Sequence, residues 1–334
     1  MLSVICPIYN EEKYIAKCLD SIIEQDYPKD DMELLLVDGM STDRTRDLIG
    51  VYQKNYPWIK VLDNPKRIAP CAMNVGIKAS SGEIIIRLDA HVLYPSNYFS
   101  VLVSKLQELP EAENVGAICN TLPVNDTIEA QSIAAVLSSS FGMGNSYFRV
   151  GASKVMEVDT VPFGCFHRRI FDKVGLYDEE LARNQDDELN ARIIKSGGRI
   201  YLIPDLKCEY FARDTARKVY KMFYQYGLFK PLVNKKLGSP ATVRQFFPLC
   251  FVLGLISGPI VCAFIPILWL AYITVILIWL ILATYFSYKD SKQLKRILVQ
   301  NWIYFVVHFG YGWGYIVGIF KILFNKPFIA QANR

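Results

Sequence analysis

Between Phe246 and Tyr288 the chain runs for 43 residues without a single charged side chain. A hydrocarbon core takes about 20 helical residues per crossing, so the run is long enough for two. A helical hairpin turning near Pro266 fits, with spans at 246–266 and 267–288. Lys289, Lys292, Lys295 and Arg296 follow at once, and an excess of Lys and Arg marks the cytoplasmic side of a span. A further apolar run at 300–321 carries His308 and several glycines; spanning, re-entering and lying flat are all open to it. A buried helical domain is the competing reading of this tail, and the length of the uncharged run opposes it.

Upstream of the hairpin, 207–245 is basic and aromatic, with Arg217, Lys218, Lys221 and Lys230 interleaved with Tyr220, Phe223, Tyr224 and Phe229. That pattern predicts an amphipathic helix at a membrane surface; a solvated basic helix face is the alternative, and the position next to the hairpin favours the membrane. A net charge of +5 is too mild to argue for nucleic acid. The eight cysteines are scattered without a CxxC pair and read as small apolar fillers. Leu2 to Cys6 is strand-like and lacks the pattern of a signal peptide, so the N-terminal domain is expected in the cytoplasm, with the whole chain a multi-pass protein of the cell (inner) membrane.

The first 206 residues read as an α/β domain. Short apolar runs at Leu2–Cys6, Leu34–Val37, Ile59–Leu62 and Ile84–Leu88 alternate with helix-length segments at Glu12–Gln25, Asp43–Tyr56 and Pro70–Ala79, the pattern of a mainly parallel, Rossmann-like sheet. Ligands of such sheets sit beyond the carboxyl ends of the strands. Tyr9, Asn10 and Glu11 follow the first strand, Asp38 the second, and Asp89 and His91 the fourth. Asp38 is placed to accept hydrogen bonds from a base or ribose, and helix capping competes for it as it does for Glu11. Asp89 and His91, two apart, can face one ligand and suit a divalent ion bridging a diphosphate. Downstream, the acids Asp186, Asp187 and Glu188 follow Gln185; one of them would deprotonate an acceptor hydroxyl, and ordinary first-turn helix acids are the alternative. His167 and His308 read as structural.

Pro7-Ile8-Tyr9-Asn10-Glu11, the Asp38-Gly39-Met40-Ser41-Thr42-Asp43 turn, Asn74-Val75-Gly76-Ile77, Ser81-Gly82-Glu83-Ile84 and Leu88-Asp89 occur in one order. In that order they resemble the family 2 inverting glycosyltransferases of the GT-A fold, from Ser3 to about Pro204. The resemblance implies that Pro7, Tyr9, Glu11, Asp38 and Asn74 hold the nucleotide. Asp89 opens a DxD-like metal motif in which His91 replaces the second Asp, with Mg²⁺ or Mn²⁺ as cofactor. Asp186 matches the general base, with Gln185 in place of the usual preceding Glu, and Gly164 and Cys165 match the acceptor loop, to which Asp187 is added. The Asp-Ala-His form, Tyr226-Gly227 and the membrane hairpin are similar to the succinoglycan-type exopolysaccharide glucosyltransferases. The resemblance thus implies transfer from a nucleotide-sugar donor, a UDP-sugar, to a lipid-linked saccharide acceptor. Transfer to polyprenyl phosphate itself and a non-catalytic nucleotide sensor are the rival functions; a processive synthase lacks its Gln-x-x-Arg-Trp segment here.

Overall fold

Apolar runs flanked by turn residues fold as buried parallel strands, since helices on both faces leave them no wet side. The computed structural model describes residues 1–240 and 242–329. In it β1 (Leu2–Ile8), β2 (Met32–Asp38), β3 (Ile59–Asp63) and β4 (Ile84–Arg87) lie parallel in the spatial order β3-β2-β1-β4. Helices α1 (Ile15–Ile23), α2 (Thr45–Asn55) and α3 (Ala69–Ala79) connect them. The chain leaves β1 toward β2 on one side and returns to β4 on the other, so strand order switches at β1, where open α/β sheets bind ligands.

After β5 (Val92–Leu93) and α4 (Tyr98–Glu108) comes β6 (Ala112–Leu122), then the short helices α5 (Ile128–Leu137), α6 (Ser140–Met143) and α7 (Tyr147–Val150). The elements β7 (Met156–Glu157), β8 (Cys165–His167), α8 (Arg169–Val174), α9 (Gln185–Lys195) and β9 (Arg199–Phe211) follow. The sheet continues from β4 as β8-β6-β9-β5, with β7 on β9, and β8 is antiparallel to both β4 and β6. Two units result, 1–120 with 151–210 and 121–150 with 211–334. The segment 121–150, which the sequence reading left inside the first domain, packs with the C-terminal helices. β9 runs out to Phe211, and along its outer half Asp205, Lys207 and Glu209 alternate with the buried Leu206, Cys208 and Tyr210.

A buried carboxylate closes the amino-terminal end of the sheet. Glu33 accepts hydrogen bonds from Ser3 Oγ (2.8 Å), Ser81 N (2.7 Å) and Lys60 Nζ (2.9 Å). Burial pushes its pKa up, but these donors outweigh it and bring it from an ordinary 4.5 down to about 2. A carboxylate whose folded pKa lies below its unfolded one stabilises at neutral pH and loses that contribution as pH falls from about 4.5 toward 2. Glu33→Gln is therefore expected to cost roughly 2 kcal/mol at pH 7, after allowing for solvent screening of Lys60. Urea titrations should show the gap between wild type and variant closing below about pH 4.

In the second unit, α10 (Ala216–Leu237), α11 (Phe246–Phe264), α12 (Leu268–Asp290) and α13 (Leu294–Leu323) follow in turn. The α11–α12 turn falls at 265–267. Side chains on both helices stand largely exposed, Phe264 at 82% and Leu270 at 73%, as a lipid-facing surface requires. α13 is one continuous helix rather than a re-entrant loop, and it lies alongside α10 in the same direction. Gly310, Gly314 and Gly318 present a bare face to Tyr220, Tyr224 and Leu228, and Gly227 answers from α10 against Tyr311 and Tyr315. Four-residue spacing of glycines lets two helix backbones meet. The apolar side of α10 is thus covered by α13 instead of forming a lone surface helix.

Polar groups join the helices at the α12–α13 corner and midway along them. Asp290 pairs with Arg296 (2.8 Å) and accepts from Gln300 Nε2 (2.6 Å) at the α12–α13 corner, while Arg296 donates to Gln131 on α5 (3.1 Å). His308 is buried, with Nδ1 accepting from Trp279 Nε1 (3.1 Å) and Nε2 facing the Phe141 carbonyl (2.9 Å). Both ring nitrogens are engaged within the fold, as a structural histidine requires.

Candidate active site

The loops after β1 and β2 are stitched to each other. Ser41 Oγ accepts from Asn10 N (2.9 Å), Asn10 Oδ1 from Thr42 N (2.9 Å), and Thr45 Oγ1 from Glu11 N (2.7 Å). Those bonds explain the Ser, Thr and Asn of the two motifs: short polar side chains satisfy loop backbone that has no ladder partner. Asp38 ends β2 fully buried, accepting from Ser41 N (3.0 Å) and from Arg46, which also reaches Asp63. Tyr9 keeps 38% of its surface exposed, and the Arg67 guanidinium stands 5.8 Å from its ring centroid. Arg67 itself adopts φ +59°, a backbone conformation uncommon for any residue but glycine. Pro7, within β1, pairs in register with Val37, so Pro7, Tyr9, Glu11 and Asp38 gather at one end of two neighbouring strands.

Asn74 goes elsewhere. From α3 its amide donates to the Tyr177 carbonyl (2.9 Å) and Glu179 Oε1 (3.1 Å) and accepts from Tyr177 N (3.0 Å). The side chain is fully engaged in pinning the 177–179 loop, and Lys66 holds Glu179 from the other side.

Beyond β4, Asp89 and His91 touch through Oδ1 and Nδ1, and Tyr94 Oη braces Asp89 N (2.8 Å). Burial pushes the Asp89 carboxyl up, but the His91 charge and hydrogen bonds, with Arg87 behind them, outweigh it and hold it below the ordinary 3.8. His91 also lies against the rings of Tyr14 and Tyr210, at 6.4 and 5.8 Å. Among the described residues no cluster of three His, Cys, Asp or Glu stands ready for a metal.

At the start of α9 the three acids sort into different situations. Glu188 is buried and forms a bidentate pair with Arg192 (2.7 and 2.8 Å), whose remaining donors bind the 174–176 carbonyls. Asp187 is half-buried beside it. Asp186 is met by Arg87, the last residue of β4, while Gln185 Nε2 stands 3.4 Å from its other oxygen. Arg87 is 6% exposed, and its N–H donates to the Gly164 carbonyl (2.9 Å). Gly164 has no room for a side chain, since a Cβ would overlap Asn114 Oδ1, part of a buried chain running through Asn190 to Thr160. Cys165 is wholly buried in β8, where burial pushes its thiol up. Neither residue offers a side chain to an acceptor.

Acids and an exposed aromatic ring stand at the carboxyl ends of the parallel strands of an α/β sheet of the GT-A type, and three helices among the described residues are long and apolar enough to cross a membrane. Residues 3–175 match the glycosyl transferase family 2, and the chain belongs to that family: it is a glycosyltransferase. It is 32% identical over 263 residues to the dolichyl N-acetyl-alpha-D-glucosaminyl phosphate 3-beta-D-2,3-diacetamido-2,3-dideoxy-beta-D-glucuronosyltransferase of Methanococcus voltae, covering 77% of this chain and 80% of that one. It is 27% identical over 248 residues to the succinoglycan biosynthesis protein ExoA of Rhizobium meliloti, 74% of each. The mannosyltransferase PcManGT from Pyrobaculum calidifontis, solved with GDP-Man and Mn²⁺, shares the fold with a TM-score of 0.58 at 20% identity over 97% of this chain and 87% of that one.

Proposed function

We propose that the chain transfers a sugar, with inversion, from a UDP-sugar to a polyprenyl-linked saccharide on the cytoplasmic face of the cell membrane. The observation that carries this reading is the meeting of Asp186 with the end of β4, two residues before Asp89. One carboxylate stands where an acceptor hydroxyl needs a base, and another where a leaving diphosphate needs its charge offset. Tyr9, Glu11 and Asp38, with Pro7 behind them, seat the nucleoside, and Asn74 holds the 177–179 loop in place. Gly164, with Asp187, borders the acceptor, and Cys165 supports that loop from the core.

Asp89 and His91 fit a divalent ion: they supply an oxygen and an imidazole nitrogen, and a diphosphate with water would complete the shell. Such an ion, Mg²⁺ or Mn²⁺, supplies Lewis-acid stabilisation of the departing nucleotide. Asp186 takes the acceptor proton while the sugar's anomeric carbon is attacked from the face opposite the nucleotide, which inverts its configuration.

That the Methanococcus voltae relative is named for a sugar on a lipid phosphate supports a saccharide acceptor over polyprenyl phosphate itself. Membership of a transferase family weighs against a non-catalytic sensor. Release of UDP from a panel of UDP-sugars by detergent-solubilised protein, with Mn²⁺ or Mg²⁺ and a membrane lipid extract, tests the reading. Donor-selective, lipid-dependent release is expected; activity with no lipid present at the full rate would overturn the acceptor assignment. For topology, a cysteine at Lys292 should react with a membrane-impermeant maleimide only in opened cells. Labelling in intact cells would put the α12–α13 corner on the wrong side.

A further inference from the structure

We infer that Arg87 is the positioning residue for the proposed base, a role that rests on reading Asp186 as that base. Arg87 is a cation in a site with 6% exposure, at the last position of a strand in the middle of the sheet. An unpartnered charge there would be costly, and its partner is Asp186, 99 residues further along the chain. Its backbone is fixed as well, by the ladder to β1 and by the bond to the Gly164 carbonyl. Arg87 and Asp89 are two residues apart where β4 ends, so one short segment reaches the base with one side chain and the leaving-group side with the other.

Two consequences follow for Asp186. Its Oδ1 is held by the guanidinium, which leaves Oδ2, near Gln185 Nε2, as the oxygen turned toward a hydroxyl. The pair also ties the first turn of α9 to β4, so the separation of base and leaving group depends on that ion pair and on the two-residue step from Arg87 to Asp89. Glu188 and Arg192 anchor the other side of the same turn, which separates holding the helix from aiming the carboxylate. Arg87 itself donates hydrogen bonds and transfers no proton.

The test compares Arg87→Met, Arg87→Lys and Asp186→Asn in the full-length, detergent-solubilised protein. UDP with Mn²⁺ serves as the binding probe, and the UDP-sugar that turns over in the panel above as donor. Arg87→Met should bind UDP within about two-fold of wild type, keep its donor KM within a similar factor and lose about 100-fold in kcat, the loss expected when a proton acceptor is present but misplaced. Arg87→Lys should recover at least ten-fold of that. An Arg87→Met protein that binds UDP normally and transfers at the wild-type rate overturns the proposal, as does a loss confined to KM or one that Lys leaves unrepaired. An Asp186→Asn protein at full rate refutes the base assignment instead, so the two failures are told apart.

Discussion

Asp186→Asn is expected to lower transfer to acceptor by about 10²–10⁴-fold while leaving UDP binding in place. The change keeps the side chain's volume and its hydrogen bond to Arg87, and removes the capacity to take a proton. A drop in kcat and kcat/KM together marks an interaction made only in the transition state. The neighbouring acids give the contrast. Glu188→Gln should weaken the fold, since Arg192 then loses half of a bidentate ion pair that holds the 174–176 carbonyls, yet the enzyme that remains folded should turn over. Single-turnover rates on folded fractions of the two variants separate these outcomes; equal rate losses would remove the special standing given to Asp186.

Replacing Gly314 by Leu should prevent the second unit from assembling. A Cβ at this position overlaps the Tyr224 carbonyl oxygen and comes within 2.9 Å of Leu228 N, and backbone cannot step aside as a flexible side chain can. Separating α10 from α13 by the thickness of a side chain strips contacts along several turns, at a cost of about 3 kcal/mol or more. The expected readout is loss of monodisperse protein in detergent, with Gly254→Leu as control, because a Cβ at Gly254 meets nothing within 4 Å. Both variants behaving alike would show that the glycine face is not what joins the helices.

How much of this could be read in advance follows from how local each signal is. The four parallel strands and their helices are written in runs of apolar residues a few positions long, and Asp38, Asp89 and Asp186 could be placed because each stands in a short motif. β6 is not among those runs, because Asn114, Gly116 and Asn120 interrupt its apolar residues; the fold explains Asn114 through a partner at Asn190. β9 does not stand out as an apolar run because its outer half alternates with charges that look, residue by residue, like the start of a basic segment. Arg87 lies inside the Ile84–Leu88 run and is not among the residues the sequence singles out. A charge inside an otherwise apolar strand requires a buried partner, which was the available signal, but nothing near it in sequence names Asp186. Asn74 shows the opposite case, where the motif gives the residue to a nucleotide while its contacts tie it to a loop.

The pairing of α10 with α13 also orders events in time. Tyr220 to Leu228 are synthesised some ninety residues before Gly310 to Gly318, and the two membrane helices lie between them. While a ribosome adds residues at roughly 5–20 per second, α10 must wait several seconds with its seam uncovered. α5 waits longer, since Arg296 reaches back to Gln131 only once α13 has begun. The first unit contains residues no later than Tyr210 and can close during this interval. The order of synthesis thus lets the nascent chain hold a closed first unit while the seam of its second unit is still open.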